Sequence, residues 1–240
     1  MPDAAFDPAI HGFRFPNRFP GGAVIAEINR QGRLSELTGV GVPRAVRHLA
    51  DLAQHAGFWG TFGLCGGMSW AALDRFFQGR PPPSGDTASP RPGSELFSEL
   101  VERQVDSMRG QQMIGRCLTW QLLPLQAPWW LPWTDGVHEM TGKREWPALK
   151  TSLDREVPAS LTLIRASGVA NPSDNHQVVA TGYEIDAGGN VNVGLYDPNH
   201  PRSKVSLRLR FDPKKRLTGC TQTTGEPVRA FFVWAHRSRR

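Results

Sequence analysis

The chain predicts an α+β fold whose helices and strands are segregated along the sequence. Two observations carry this: helical periodicity dominates residues 42–157, and from Pro158 onward runs of β-branched and aromatic residues alternate with turn signals. A third observation bounds the size. At 240 residues, 39% hydrophobic and 21% charged, the chain suits one globular domain spanning residues 1–240 and not a disordered polymer.

Residues 1–41 are expected to form an N-terminal arm, because the first 22 are rich in proline, glycine and aromatics and show no periodicity. In VPRAVRHLADLAQHA, Val46, Leu49, Leu52 and Ala53 share a face and predict a helix over 42–56. His48 and His55 ride on that helix without metal-ligand spacing. The next helix runs from Cys65 to about Gln78. Met68, Ala71, Ala72, Leu73, Phe76 and Phe77 make it apolar on most sides, as in a buried central helix, and Gly79 with Pro81, Pro82 and Pro83 ends it.

A proline-rich linker over 80–93 follows by composition. Ser94 then caps a helix to about Arg109, with Leu96, Leu100, Val101, Val105 and Met108 near helical spacing. Residues 116–147 look irregular. They hold Trp120, Trp129, Trp130 and Trp133 among prolines, which either fill volume or wall a binding cleft. A short helix in EWPALKTSLDREV presents Trp146, Leu149 and Leu153 and completes the helical half, 42–157. The β half, 158–240, reads as PASLTLIRA, HQVVATGYEID, NVNVGLYDP, KVSLRLRF and VRAFFVWAH, with AGGN marking a hairpin turn.

Composition excludes several classes. The formal charge of +6 and pI near 9.7 come partly from small clusters, Lys214, Lys215 and Arg216 and the tail Arg237, Arg239 and Arg240, which read as solvated faces. No nucleic-acid recognition motif accompanies them, so no specific nucleic-acid partner is expected. Three cysteines, Cys65, Cys117 and Cys220, are an odd number without framework spacing and argue against a disulfide scaffold. No metal-ligand pattern appears, and no cofactor is expected. The N-terminus lacks a signal-peptide pattern, and no apolar run approaches the roughly 20 residues of a membrane span. The expected location is the cytoplasm, or outside it by a route without a cleaved signal.

One constellation carries chemistry. Cys65 opens its helix behind the glycine-rich approach GTFGL, where unpaired backbone N–H groups and the positive end of the helix dipole favour a thiolate. His176 begins the strand HQVVATGY and Asp197 ends the next one, so a tight hairpin brings base and orienting acid together. The DPNHP turn leaves alternatives: Asn199 as orienter and His200 as base. Asn175 and Gln177 beside the histidine are cleft candidates, as are Asn199, Trp129, Trp130 and Trp133. Cys117 and Cys220 lack such surroundings and read as structural.

The blocks LCGGMSWAALDRF, NHQVVATGYE and LYDPNHP resemble the three motifs of papain-like cysteine peptidases, closest to the bacterial double-glycine (bacteriocin-processing) peptidase-like branch. The likeness covers residues 59–80 and 158–200. It implies a papain-like fold, a thiol protease acting on a peptide or protein substrate, and Cys65 as nucleophile with His176 as base and acid and Asp197 as orienter. The family's oxyanion glutamine, six residues before the nucleophile, is replaced by Trp59, and Gln54 is the nearest upstream carboxamide, so these two are the oxyanion candidates. Two other functions fit the same residues: acyltransferase or transglutaminase-like use of the triad, and a non-catalytic module that binds peptide or glycan through the tryptophan-rich segment.

Overall fold

Burial of its aromatic residues fastens the N-terminal segment to the body of the protein. The computed structural model describes residues 6–38, 61–80, 82, 87–110, 112–130, 134–168, 170 and 172–239. Within 6–38 the chain forms helix α1 (Pro8–His11), strand β1 (Phe19–Pro20), helix α2 (Gly21–Arg30) and helix α3 (Leu34–Thr38). Phe6, Phe13, Phe15 and Phe19 are buried, and Val24 and Ile28, one helical turn apart on α2, join them. Four buried phenylalanines explain why this periodicity-free stretch is ordered: each removes a large apolar surface from water, on the order of 2 kcal/mol apiece. Strand β2 (Thr61–Phe62) pairs with β1. The helix expected over 42–56 lies outside the described residues, as do Gln54 and Trp59.

The central helix α4 spans Cys65–Phe77, as its apolar pattern requires. It packs along α5 (Glu95–Met108), which Ser94 caps by accepting a hydrogen bond from Phe97 N at 3.3 Å. The expected irregular segment begins as a helix, α6 (Gln112–Leu122), with Met113, Cys117, Trp120 and Gln121 buried at helical spacing. Helix α7 (Val137–Met140) leads through a π-helical turn (Thr141–Glu145) into α8 (Trp146–Leu153).

From residue 159 the chain is an antiparallel meander: β3 (Ala159–Ile164), β4 (His176–Ile185), β5 (Val191–Tyr196), β6 (Val205–Phe211), β7 (Leu217–Gln222), β8 (Pro227–Val228) and β9 (Ala230–Val233). The order across the sheet is β8-β7-β6-β5-β4-β3-β9. Since only Arg229 separates β8 from β9, the two edges meet at that residue and the sheet rolls nearly into a barrel. Arg229 also holds α6 against the seam, donating from its guanidinium to Gln121 O at 3.1 Å and Leu123 O at 2.9 Å, two carbonyls at the end of that helix.

Alternation assigns the faces. Leu161, Leu163, Val178, Ala180, Val193, Leu195, Leu207, Leu209 and Phe231 fill the interior, and Leu149 and Leu153 of α8 plug one end beside Tyr183. On the outside, Val179 and Tyr196 pack against α4 and α5, and Ile164, Ala230 and Phe232 pack against Trp120 of α6. The molecule is thus α+β, with Cys65 at a helix end set against the unplugged mouth of the barrel. The strand β7 went unrecognised in the sequence because LTGCTQ is polar and interrupted by glycine.

Candidate active site

The start of α4 is held by acceptors borrowed from elsewhere. The first N–H groups of a helix have no intrahelical partner, and here Leu64 N–H donates to Asn17 Oδ1 while Gly67 N–H donates to Gln104 Oε1 at 2.9 Å. Two glycines after the cysteine let α5 and β4 come close. A Cβ on Gly67 would lie 2.1 Å from the carbonyl oxygen of Leu100, and one on Gly66 would lie 2.2 Å from Ser107 Oγ. Ser69 Oγ donates to Gln177 O at 3.2 Å and Gln177 N–H points at Cys65 Sγ at 3.5 Å, so the thiol is pinned to the first residues of β4.

His176 Nε2 meets Asp197 Oδ1 at 2.6 Å, and the ring also interacts with the Cys65 thiol and lowers it. With Nε2 taken by the carboxylate, Nδ1 is the nitrogen left for sulfur. A simple hairpin would not produce this. Near the turn the pairs Gly182↔Gly194 to Ile185↔Val191 set a register that, carried on, would place Asp197 opposite Val179 and His176 on the other face of the sheet. A bulge between Ala180 and Gly182 inserts one extra residue, and the register beyond it (Ala180↔Leu195, Val179↔Tyr196) moves Asp197 opposite Val178. His176, Val178 and Asp197 consequently share the inward face.

Asp197 is 1% exposed and fully engaged. Its Oδ1 also accepts Asn199 N–H at 2.8 Å, and its Oδ2 accepts Gln222 Nε2 at 2.6 Å. Gln222 Oε1 in turn accepts from Arg165 Nη2 at 2.8 Å. Burial opposes ionisation of Asp197, but the charge and hydrogen bond of His176, with Asn199 N–H and Arg165, hold its carboxyl at about 2. Burial would likewise lower His176, yet Asp197 first and Cys65 second raise it to about 9. For Cys65 burial pushes upward and is outweighed by His176 and by the N–H groups of Gln177 and Gly66, so the thiol lies below its ordinary value. Cys117 and Cys220, buried without such partners, are pushed up to about 12. The arrangement favours a thiolate–imidazolium pair.

A cleft of about 510 Å³ opens over this group, lined among others by Asn17, Gly63, Cys65, Asn175, His176 and Asn199. Asn175 shapes its wall: Oδ1 accepts from Arg165 N and Ala166 N, and Nδ2 donates to Gln121 Oε1. Gln177 does not line the cleft; its side chain turns to the helices and donates to Ser107 Oγ at 3.3 Å. His200 pairs with Glu226 Oε1 at 2.7 Å, and it is His176 that meets Asp197. Trp129 and Trp130, 87% and 62% exposed, neither fill the core nor line the cleft. Trp133 lies outside the described residues.

Sequence reasoning missed Asn17, Arg165 and Gln222. Neither Gln222, 5% exposed in the fold but on a strand without a legible pattern, nor Asn17, in a segment without periodicity, had a local signal. Among the described residues no cluster of three or more His, Cys, Asp or Glu could hold a metal ion, and no helix is long and apolar enough to cross a membrane. Comparison with protein-family models, curated proteins and solved structures finds no match.

Proposed function

We propose that this chain is a cysteine hydrolase of papain-like fold that cleaves a peptide or amide bond through an acyl-enzyme on Cys65. The observation that carries the reading is the histidine ring shared between Cys65 and Asp197, with the thiol lowered and the imidazole raised. The reading is supported by a helix that presents the thiol beside an antiparallel sheet that presents His176 and Asp197.

The thiolate attacks the substrate carbonyl carbon, forming a C–S bond while the π electrons move to oxygen. Collapse of the tetrahedral intermediate breaks the C–N bond, and His176 gives its proton to the departing amine. The neutral imidazole then takes a proton from water as its oxygen attacks the thioester, releasing a carboxylic acid and restoring the ion pair. Asp197 stays ionised throughout and fixes the ring. The hydrolase reading is preferred to the binding-module alternative because the ring of His176 lowers the Cys65 thiol and Trp129 and Trp130 do not line the cleft.

Iodoacetamide at neutral pH should label Cys65 ahead of Cys117 and Cys220, mapped by peptide mass. p-Nitrophenyl acetate should acetylate Cys65, and Cys65→Ala should abolish this without unfolding the chain. Preferential labelling of Cys117, or undiminished acetylation of a folded Cys65→Ala variant, would sink the reading.

A further inference from the structure

The tetrahedral intermediate carries negative charge on the former carbonyl oxygen and needs donors placed where that charge develops. One is at hand. Leu64 N–H and Gly67 N–H have side-chain acceptors and Gly66 N–H faces the sulfur, whereas the Cys65 N–H has no partner among the described residues. We propose that the second donor is Asn17 Nδ2, so that a residue of the N-terminal segment, over 40 positions before the nucleophile, completes the oxyanion hole. The proposal rests on the reading of Cys65 as an acyl-forming nucleophile.

Four observations place the carboxamide. Asn17 Oδ1 accepts the N–H of Leu64, which moors the amide to the residue immediately preceding the nucleophile. That backbone group can only donate, so the atom facing it is oxygen and the amide's orientation is fixed by chemistry. Nδ2 donates one of its two hydrogens to Asn199 Oδ1 at 2.9 Å, which leaves a second N–H; Asn17 and Cys65 line the same cleft. Gly63 supplies the room, since a Cβ there would stand 3.0 Å from Nδ2.

The donor is also rigid. Asn17 N–H bonds Pro198 O at 3.2 Å, and the flanking Phe15 and Phe19 are buried in the core shared by α4 and α5. Asn17 is 9% exposed. It touches both walls of the cleft, Leu64 on the helix side and Asn199 on the barrel side. An anchored amide of this kind is preorganised and loses little on meeting the oxyanion.

The test separates reactions that form an oxyanion from one that does not. With p-nitrophenyl acetate, Asn17→Ala should acetylate Cys65 roughly 10²- to 10³-fold more slowly than the parent protein. Alkylation by iodoacetamide displaces iodide at a saturated carbon and should change by less than about threefold. Asn17→Asp retains the acceptor for Leu64 N–H and removes both amide hydrogens. Measured on the pH-independent plateau of each reaction, it should show the same split, and it serves if the alanine variant fails to fold. Equal acetylation rates in the parent and folded variants overturn the assignment. A parallel fall in acetylation and alkylation also overturns it, because it makes Asn17 a support of the thiol only. If the parent protein itself is not acetylated on Cys65, the hydrolase reading falls, and this proposal with it.

Discussion

The two walls of the cleft are built by opposite means. On the helix wall Cys65 is brought close by what is missing: side chains absent at Gly66 and Gly67 let α4 sink against α5 and β4. On the barrel wall His176 is aimed by something added, the extra residue of the bulge between Ala180 and Gly182. The walls also differ in how they handle charge. The helix offers N–H groups to the sulfur of half-buried Cys65, while the barrel mouth buries Asp197 in a closed chain of donors from His176, Asn199 and Gln222. In the proposed reaction the helix wall carries the reactive sulfur, and the barrel wall supplies a fixed field to sustain it.

The largest break should come from removing the link between the walls. His176→Ala takes away both the base and the cation that lowers Cys65, so acetylation at neutral pH should fall by roughly 10⁴- to 10⁶-fold. Alkylation of Cys65 should shift to higher pH, toward ordinary thiol behaviour. A variant that keeps the parent alkylation profile would show that the helix end alone activates the sulfur. Next in size is Gly67→Ala, whose Cβ would meet the Leu100 backbone at 2.1 Å. Backbone cannot yield as a side chain can, so the cost should be about 3 kcal/mol in chemical denaturation. Gly66→Ala, opposed chiefly by the Ser107 and Gln177 side chains, should cost less. Equal stability of the two variants would refute the account of close helix approach.

Much of this site was legible in the sequence because its parts obey local rules. A glycine-rich approach into an apolar helix marks Cys65, and the AGGN turn between alternating strands brings His176 and Asp197 to one end of a hairpin. Proximity was legible, but facing was not: the run VATGY carries no sign that two residues oppose one, and an unbroken hairpin would have turned His176 away from the acid. Asn17 and Gln222 were missed for a related reason. Their roles arise from contacts between segments distant in the chain, Asn17 with Leu64 and Asn199, Gln222 with Asp197 and Arg165. The buried phenylalanines of the first 20 residues had composition without period, which reads as loop unless one knows that the body has a face for them.

The barrel wall can be tested more finely through its charge. Activity should be bell-shaped in pH, rising as Cys65 ionises below its ordinary value and falling near pH 9 as His176 loses its proton. In Asp197→Ala the anion that raises His176 is gone, so the falling limb should move to lower pH and kcat/KM should drop by about 10²-fold. The pair's contribution to stability has a defined window. His176, raised in the fold, contributes fully below its ordinary value of 6.5 and loses that contribution as pH climbs through about 9; Asp197, lowered, contributes above 3.8 and loses it as pH falls through about 2. The stability gap between the parent and Asp197→Ala should therefore be widest between pH 3.8 and 6.5, measured by urea unfolding across that range. A gap that widened above pH 9 would contradict the ion pair.

The smallest effect on activity is expected from Gln222→Leu. Leucine matches the apolar interior but strips Asp197 Oδ2 of its 2.6 Å donor and Arg165 Nη2 of its acceptor. A hydrogen bond to a buried charge contributes roughly 1.5–3 kcal/mol, so the fold should lose about that much. Oδ1 still holds the imidazole, and kcat/KM should fall less than about tenfold. Arg165, 3.9 Å from Oδ2, is free after the substitution to approach the carboxylate, and Gln222→Leu combined with Arg165→Leu should then cost more stability than the two single changes added together. Strict additivity would mean that Gln222 and Arg165 brace Asp197 independently. Loss of activity as deep as in Asp197→Ala would instead mean that the carboxylate turns away from His176 without Gln222, making the amide a positioning residue for the ring and not merely a brace of the barrel mouth.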